Sequence, residues 1–244
     1  MAETYIEPGN IVGYTKVNLA ANGFTMIGTC FEGCGVDKPI KIKDLVGEFF
    51  GGEGYSSADC LTVWDRNTGN YRTYPYFFGD WGVGEEAYNN KWYRSDNDSV
   101  ETEDILEPGD AFWINRRAGM TTVTIAGQVP TNDVLIQLSK GFTMIANPFP
   151  VDIKIKSLSG NFYGGEGYSS ADCITVWDQG TGNYRTYPYF FGDWGIGEEA
   201  YNDKWYRSDN DSVETEDVIA PGEAFWIEHR GTGCTLTILA PSID

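Results

Sequence analysis

The segment Gly51-Gly52-Glu53-Gly54-Tyr55-Ser56-Ser57-Ala58-Asp59-Cys60 returns intact at 164–173, displaced by 113 residues. The likeness runs on through "TVWD", "TGNYRTYPYFFGDWG" and "KWYRSDNDSVETED". Residues 51–110 and 164–223 differ at nine of sixty positions, and most exchanges are conservative, as in Leu61/Ile174, Val83/Ile196 and Asp110/Glu223. An internal repeat of this length constrains the fold more than any other feature, because one folding solution must serve twice. Upstream, "GFTMI" at 23–27 recurs at 141–145 with a displacement of 118, so the first copy carries five extra residues that include Cys34. The repeat predicts two equivalent modules, 1–126 (with an N-terminal extension, 1–11) and 127–244. The join, 127–133, is short and turn-like, so the modules are expected to touch.

Within each copy the pattern is that of strands. Thr122-Val123-Thr124-Ile125 and Thr235-Leu236-Thr237-Ile238 alternate apolar and polar residues, as a strand with one wet face does. Val17-Asn18-Leu19 and Val134-Leu135-Ile136-Gln137-Leu138 read as opening strands. Cys60-Leu61-Thr62-Val63-Trp64-Asp65 carries bulk on both faces and predicts a central strand. The turn 65–70 leads back into Tyr71-Arg72-Thr73-Tyr74, which makes a hairpin. Pro108-Gly109 and Pro221-Gly222 are turns feeding Ala111-Phe112-Trp113-Ile114 and Ala224-Phe225-Trp226-Ile227. Eight Trp, 15 Tyr, 13 Phe and 30 Gly suit short strands joined by tight turns. Helical periodicity is confined to one short turn near 40–46. The expected class is all-β, with two tandem β-sandwich modules of jelly-roll or immunoglobulin-like type.

Three stretches resemble modules common in secreted proteins of Bacteroidota and planctomycete–verrucomicrobial bacteria. These are "GFTMIANPFP" (141–150), "WDQGTGNY" (177–184) and "PGEAFW" (221–226). The first copy departs from the first stretch, having Thr29-Cys30 where the second has Asn147-Pro148. The resemblance implies an exported β-sandwich with a non-enzymatic role and brings no catalytic residues with it. The start, Met1-Ala2-Glu3-Thr4-Tyr5, has neither a basic nor an apolar leader region, which fits either a cytoplasmic protein or a mature secreted chain; the body of the chain favours the second, so the expectation is an extracellular or cell-surface protein.

The net charge of −19 is shared by both halves, which disfavours nucleic acid and anionic membrane as partners. No apolar run is long enough to span a bilayer. Negative charge favours cations or serves solubility. The acidic run 95–104, repeated at 208–217, offers Asp96, Asp98, Glu101 and Asp209, Asp211, Glu214 as oxygen ligands for Ca²⁺, although the spacing is not that of an EF-hand. A solvated acidic loop is the competing reading, and no other cofactor is implied. Asn97-Asp98-Ser99 and Asn210-Asp211-Ser212 also match a glycosylation sequon.

The aromatics Trp81, Tyr88 and Trp92, with their copies Trp194, Tyr201 and Trp205, are candidates for stacking on sugar rings. The neighbouring acids Asp80, Glu85, Glu86 and Asp193, Glu198, Glu199 would be the paired carboxylates of a glycosidase, but modules of this size leave little room for a deep cleft. His229 is the only histidine, and its counterpart is Arg116, which fits badly with a duplicated catalytic base and favours a structural role. Five cysteines, Cys30, Cys34, Cys60, Cys173 and Cys234, allow disulfides: Cys234 with Cys173, and Cys30 with Cys34 or one of these with Cys60. Any such pairing leaves one thiol over, and buried inert cysteine is the alternative. The expected function is a structural or adhesive extracellular protein, a surface or fibre subunit in which a terminal segment adds as a strand to a neighbouring copy. A carbohydrate-binding adhesin is the second expectation and a glycoside-active enzyme the third. The expected partners are other copies of the chain or surface glycans.

Overall fold

A computed structural model of the chain describes residues 12–33, 39–79, 86–178, 181–192 and 199–241. These residues are all-β, with four single-turn 3₁₀ segments, Ile42–Asp44, Glu86–Tyr88, Ile155–Ser157 and Glu199–Tyr201. In the first copy the strands are β1 (Val12–Leu19), β2 (Phe24–Gly28), β3 (Ile40–Lys41), β4 (Val46–Gly47), β5 (Cys60–Asp65) and β6 (Asn70–Phe77). They continue with β7 (Lys91–Arg94), β8 (Asn97–Glu101), β9 (Ile105–Leu106), β10 (Ala111–Asn115) and β11 (Thr121–Gln128). In the second copy they are β12 (Val134–Leu138), β13 (Gly141–Ala146), β14 (Ile153–Lys154), β15 (Cys173–Asp178) and β16 (Asn183–Phe190). β17 (Lys204–Arg207), β18 (Asn210–Glu214), β19 (Val218–Ile219), β20 (Ala224–His229) and β21 (Cys234–Ile238) complete it.

Among the described residues, every strand pairing stays within 12–128 or within 134–238. The first copy has a six-stranded antiparallel sheet in the order β2-β10-β5-β6-β7-β8, and the second repeats it as β13-β20-β15-β16-β17-β18. A smaller sheet, β1-β11-β4, lies across the core from the first; its counterpart is β12-β21, with a single bridge from Ser159 to Thr237 in place of β4. The two sheets of the first copy share one core, with Leu19, Val123 and Ile125 from the small sheet against Ile27, Leu61, Tyr74, Phe112 and Ile114 from the large one. Ile136, Leu138, Leu236 and Ile238 pack in the same way against Ile145, Ile174, Tyr187, Phe225 and Ile227. Two sheets enclosing one apolar layer are compatible with a β-sandwich.

The predicted hairpins form. Thr62 faces Thr73 and Trp64 faces Tyr71, and the register is kept between Thr175–Thr186 and Trp177–Tyr184. Gly69 and Gly182 take φ of +64° and +68° in the turns, a left-handed conformation that glycine adopts without strain. Asn147, the residue in the second copy's Asn-Pro opening, is fully buried and has a packing role. Its Nδ2 donates to Val151 O and Ile219 O at 2.7 and 2.9 Å, and its Oδ1 accepts from Phe149 N–H.

Each core is closed by an indole. Trp92 is 2% exposed and Trp205 is 1% exposed. Trp92 packs edge-on against Phe49 at 4.8 Å and Tyr76 at 5.0 Å, and Trp205 against Phe162 and Tyr189, both at 4.9 Å. Trp92→Ala and Trp205→Ala should each lower the unfolding free energy by about 3–5 kcal/mol in a denaturant titration. A near-neutral result for either would show that the ring does not anchor its core.

Candidate binding site at the junction of the two copies

On each six-stranded sheet, alternation sends one set of side chains to the core and the other outward. In β5, Leu61 and Val63 point inward and Thr62 and Trp64 outward; in β10, Phe112 and Ile114 point inward and Ala111 and Trp113 outward. The outward positions do not face water alone. Met26, Ala111, Met144, Ala146 and Ala224 form a third apolar cluster between the copies, and Trp64, Trp113, Trp177 and Trp226 pack against it. The two large sheets therefore meet by their outer faces.

The contact is nearly symmetric. Gly28 N–H donates to Gly222 O at 2.8 Å, and Ala146 N–H donates to Gly109 O at 3.0 Å. Gly28 corresponds to Ala146 in the repeat, and Gly109 to Gly222, so each bond is the image of the other, as in a two-fold interface. Both acceptors belong to the Pro-Gly turns, where φ of +86° at Gly109 and +71° at Gly222 requires glycine. The backbones approach so closely that a Cβ placed on Gly28 would lie 2.1 Å from the Cβ of Ala146.

Where the sheets diverge from this contact they leave a cleft of about 440 Å³ lined by Phe24, Tyr55, Thr62, Tyr71 and Trp113 of the first copy and Trp177 and Tyr184 of the second. Among the described residues that line it, six of seven side chains are aromatic and none is a carboxylate. Phe24 stands edge-on to Trp113 at 6.4 Å, and Trp177 to Tyr184 at 4.8 Å. The repeat provides the same arrangement from the other side, with Phe142 against Trp226 at 6.4 Å, Trp64 against Trp226 at 5.5 Å and Trp64 against Tyr71 at 5.0 Å. The tryptophans are half-buried and held by packing, whereas Phe24, Tyr71 and Tyr184 are 61%, 46% and 53% exposed. Partial burial raises the Tyr71 hydroxyl above the usual phenol range, so this ring is neutral at physiological pH.

The described aromatics among those expected from sequence lie elsewhere. Trp92 and Trp205 are core residues, so neither can offer a face to a sugar. Tyr88 and Tyr201 are partly exposed and tilt against Tyr93 and Tyr206, both at 6.1 Å. Trp81 and Trp194 lie outside the described residues, as do Asp80, Glu85, Asp193 and Glu198, while Glu86 is exposed. The junction rings went unrecognised because their signal was bulk at outward strand positions, which reads equally as a central strand.

The acids proposed for Ca²⁺ do not converge: among the described residues no three acidic, His or Cys side chains come together as a metal site. Charges of the acidic run are instead met by basic or phenolic partners. Arg94 holds Asp96 at 2.7 Å and Arg207 holds Asp209 at 2.8 Å, while Lys91 reaches Glu101 at 3.9 Å. Lys41 and Lys43 both bind Glu103, as Lys154 and Lys156 bind Glu216. Tyr74 and Tyr187 donate to Asp104 and Asp217 at 2.5 and 2.6 Å. Burial and that carboxylate push both phenols well above their ordinary range. Asp98 and Asp211 are exposed, and Glu214 is half-buried.

His229 is buried against a carboxylate. Its Nδ1 lies 2.7 Å from Oδ2 of the fully buried Asp172, whose Oδ1 accepts from Arg230 N–H at 2.7 Å. In the first copy Arg116 makes the same contact with Asp59 and also donates to the carbonyls of Glu48 and Gly119.

The expected disulfides among the described cysteines are absent. Cys30, Cys60, Cys173 and Cys234 are all buried free thiols, and Cys34 lies outside the described residues. Cys234 does point inward with Leu236 and Ile238. Burial pushes Cys30, Cys60 and Cys173 up to about 12 and raises Cys234, so the reactive thiolate is scarce at neutral pH.

The chain matches no protein-family model and no curated protein sequence. Among the described residues no helix is long and apolar enough to cross a membrane.

Two outcomes test this geometry. Iodoacetamide on the native protein should leave Cys30, Cys60, Cys173 and Cys234 unlabelled by peptide mass mapping, with all four labelled after denaturation; native labelling or a disulfide-linked peptide would contradict the buried-thiol arrangement. Gly28→Val should drive the copies apart, giving a larger radius of gyration by small-angle scattering and altered near-ultraviolet dichroism of the junction indoles. Gly54→Ala, at a site with open space around it, should change neither.

Proposed function

We propose that the chain is a non-enzymatic, extracellular adhesive protein that holds carbohydrate in the aromatic cleft between its two copies. One observation carries the reading: a single cleft draws six aromatic side chains from both copies, over tryptophans fixed by packing. The flat C–H face of a sugar ring stacks on such rings, and a platform ordered beforehand loses little conformational entropy on binding. Tyrosine hydroxyls and Thr62 at the same cleft supply hydrogen bonds to ligand hydroxyls. A lining without carboxylates offers neither the acid nor the base that glycoside cleavage requires, which supports binding over hydrolysis. The resemblance to exported bacterial modules and the strongly acidic composition support an extracellular setting.

A second reading, assembly by strand addition, rests on β1. It is an edge strand of the small sheet, and Val12 and Tyr14 on it are exposed. The opposite large-sheet edges, β8 and β18, carry Asp98, Glu101, Asp211 and Glu214 in both copies, a charge pattern that opposes pairing with another strand. Strand addition is therefore disfavoured at β8 and β18 in this reading.

Affinity electrophoresis in gels containing soluble neutral polysaccharides tests the main proposal. The protein should be retarded by at least one polysaccharide, and the double variant Tyr71→Ala/Tyr184→Ala should run freely. Tyr88→Ala, outside the cleft, should be retarded like the parent. Equal retardation of parent and double variant would remove the cleft from the function.

A further inference from the structure

The cleft is the described part of a longer surface. Tyr71 and Tyr184 are counterparts in the repeat, yet both line the same cleft, so they stand beside the two-fold relation between the copies. From Tyr71 the ring contacts continue through Trp64 and Trp226 to Phe142, all between 5.0 and 6.4 Å. From Tyr184 they continue through Trp177, and Trp113 on the same cleft leads to Phe24. The aromatic band thus runs across both copies, with Phe24 at one end and Phe142 at the other; the Phe24–Trp113 and Trp177–Tyr184 contacts repeat as Phe142–Trp226 and Trp64–Tyr71, while Trp64 and Trp226 touch directly and Trp113 and Trp177 face each other across the cleft.

Resting on the carbohydrate reading above, we infer that the ligand is an extended, uncharged polysaccharide chain that lies across both copies at once, rather than a monosaccharide or chain end held by one. Three features support this. Successive rings along one band match a ligand that repeats a stackable unit, whereas a chain end requires an enclosed pocket and a directional set of hydrogen bonds. The exposed apolar groups of the band are aromatic and not aliphatic, which suits ring faces better than the mixed side chains of a protein partner. The net charge of −19, with both halves acidic, repels uronate and sulfated polymers. The two halves also act as linked modules at high effective concentration, so a chain long enough to engage both gains affinity without any new kind of contact.

The test is isothermal titration calorimetry of the full chain with ladders of cello-, xylo- and N-acetylchito-oligosaccharides, and with oligogalacturonates as the charged comparison. For the sugar series that binds, short members should occupy the cleft alone, one per protein. Longer members should bind one per protein and at least about ten-fold tighter, a gain of roughly 1.4 kcal/mol. Phe24→Ala and Phe142→Ala, both at exposed ends of the band, should weaken the long ligand by similar factors while leaving the unfolding midpoint in place. If long chains bind no tighter than short ones, the spanning chain is wrong and the sugar-binding cleft stands. Oligogalacturonates binding as tightly as the neutral ladder would overturn the uncharged assignment. If no neutral ladder binds at any length, the carbohydrate reading fails together with this inference.

Discussion

Two reciprocal hydrogen bonds, Gly28 to Gly222 and Ala146 to Gly109, set the distance between the copies, and everything at the junction depends on that distance. They bring backbone to backbone, so the side chain at 28 has no room to exist. The pair Gly28/Ala146 is one of the few places where the repeat is asymmetric at the contact. With alanine at both positions the two Cβ atoms would overlap. The junction is thus built for one copy of each kind, and the four half-buried indoles take their orientation from it.

The buried carboxylates fix a second set of distances. Asp59 and Asp172 each accept two backbone N–H groups and one cationic or imidazole partner, tying the loop before β5 or β15 to the end of β10 or β20. Arginine and histidine are interchangeable there because the carboxylate needs only a donor at the right distance, and a buried acid without one is costly. Arg116 is longer and satisfies two further carbonyls; His229 stops at the carboxylate.

The duplicated acidic run has a comparable explanation. Its carboxylates are distributed along an edge hairpin and answer lysines, arginines and a tyrosine at their own places, so no two neighbours in sequence point at a common centre. Charge on that edge opposes pairing with a further strand there. The cluster is dense in sequence and dispersed in space, because alternate residues of a strand face opposite ways.

Much of the architecture is legible in the amino-acid sequence. The repetition of one strand order follows from self-similarity, and the hairpin at 65–70 and the Pro-Gly turns follow from local turn chemistry; the join expected at 127–133 instead begins inside β11, which runs to Gln128. The alternating runs at 122–125 and 235–238 follow from the period of a strand, all of them short-range properties of the chain. The tertiary structure decided what a near-perfect repeat conceals: Trp92 and Trp205 fill cores, while Trp64, Trp113, Trp177 and Trp226 meet at the junction. Their sequence contexts are equally aromatic, and burial at an outward strand position depends on what arrives from the other copy. It also decided that the described cysteines stay apart and that the acids disperse, since both depend on distances between residues far separated in sequence, which no local pattern encodes.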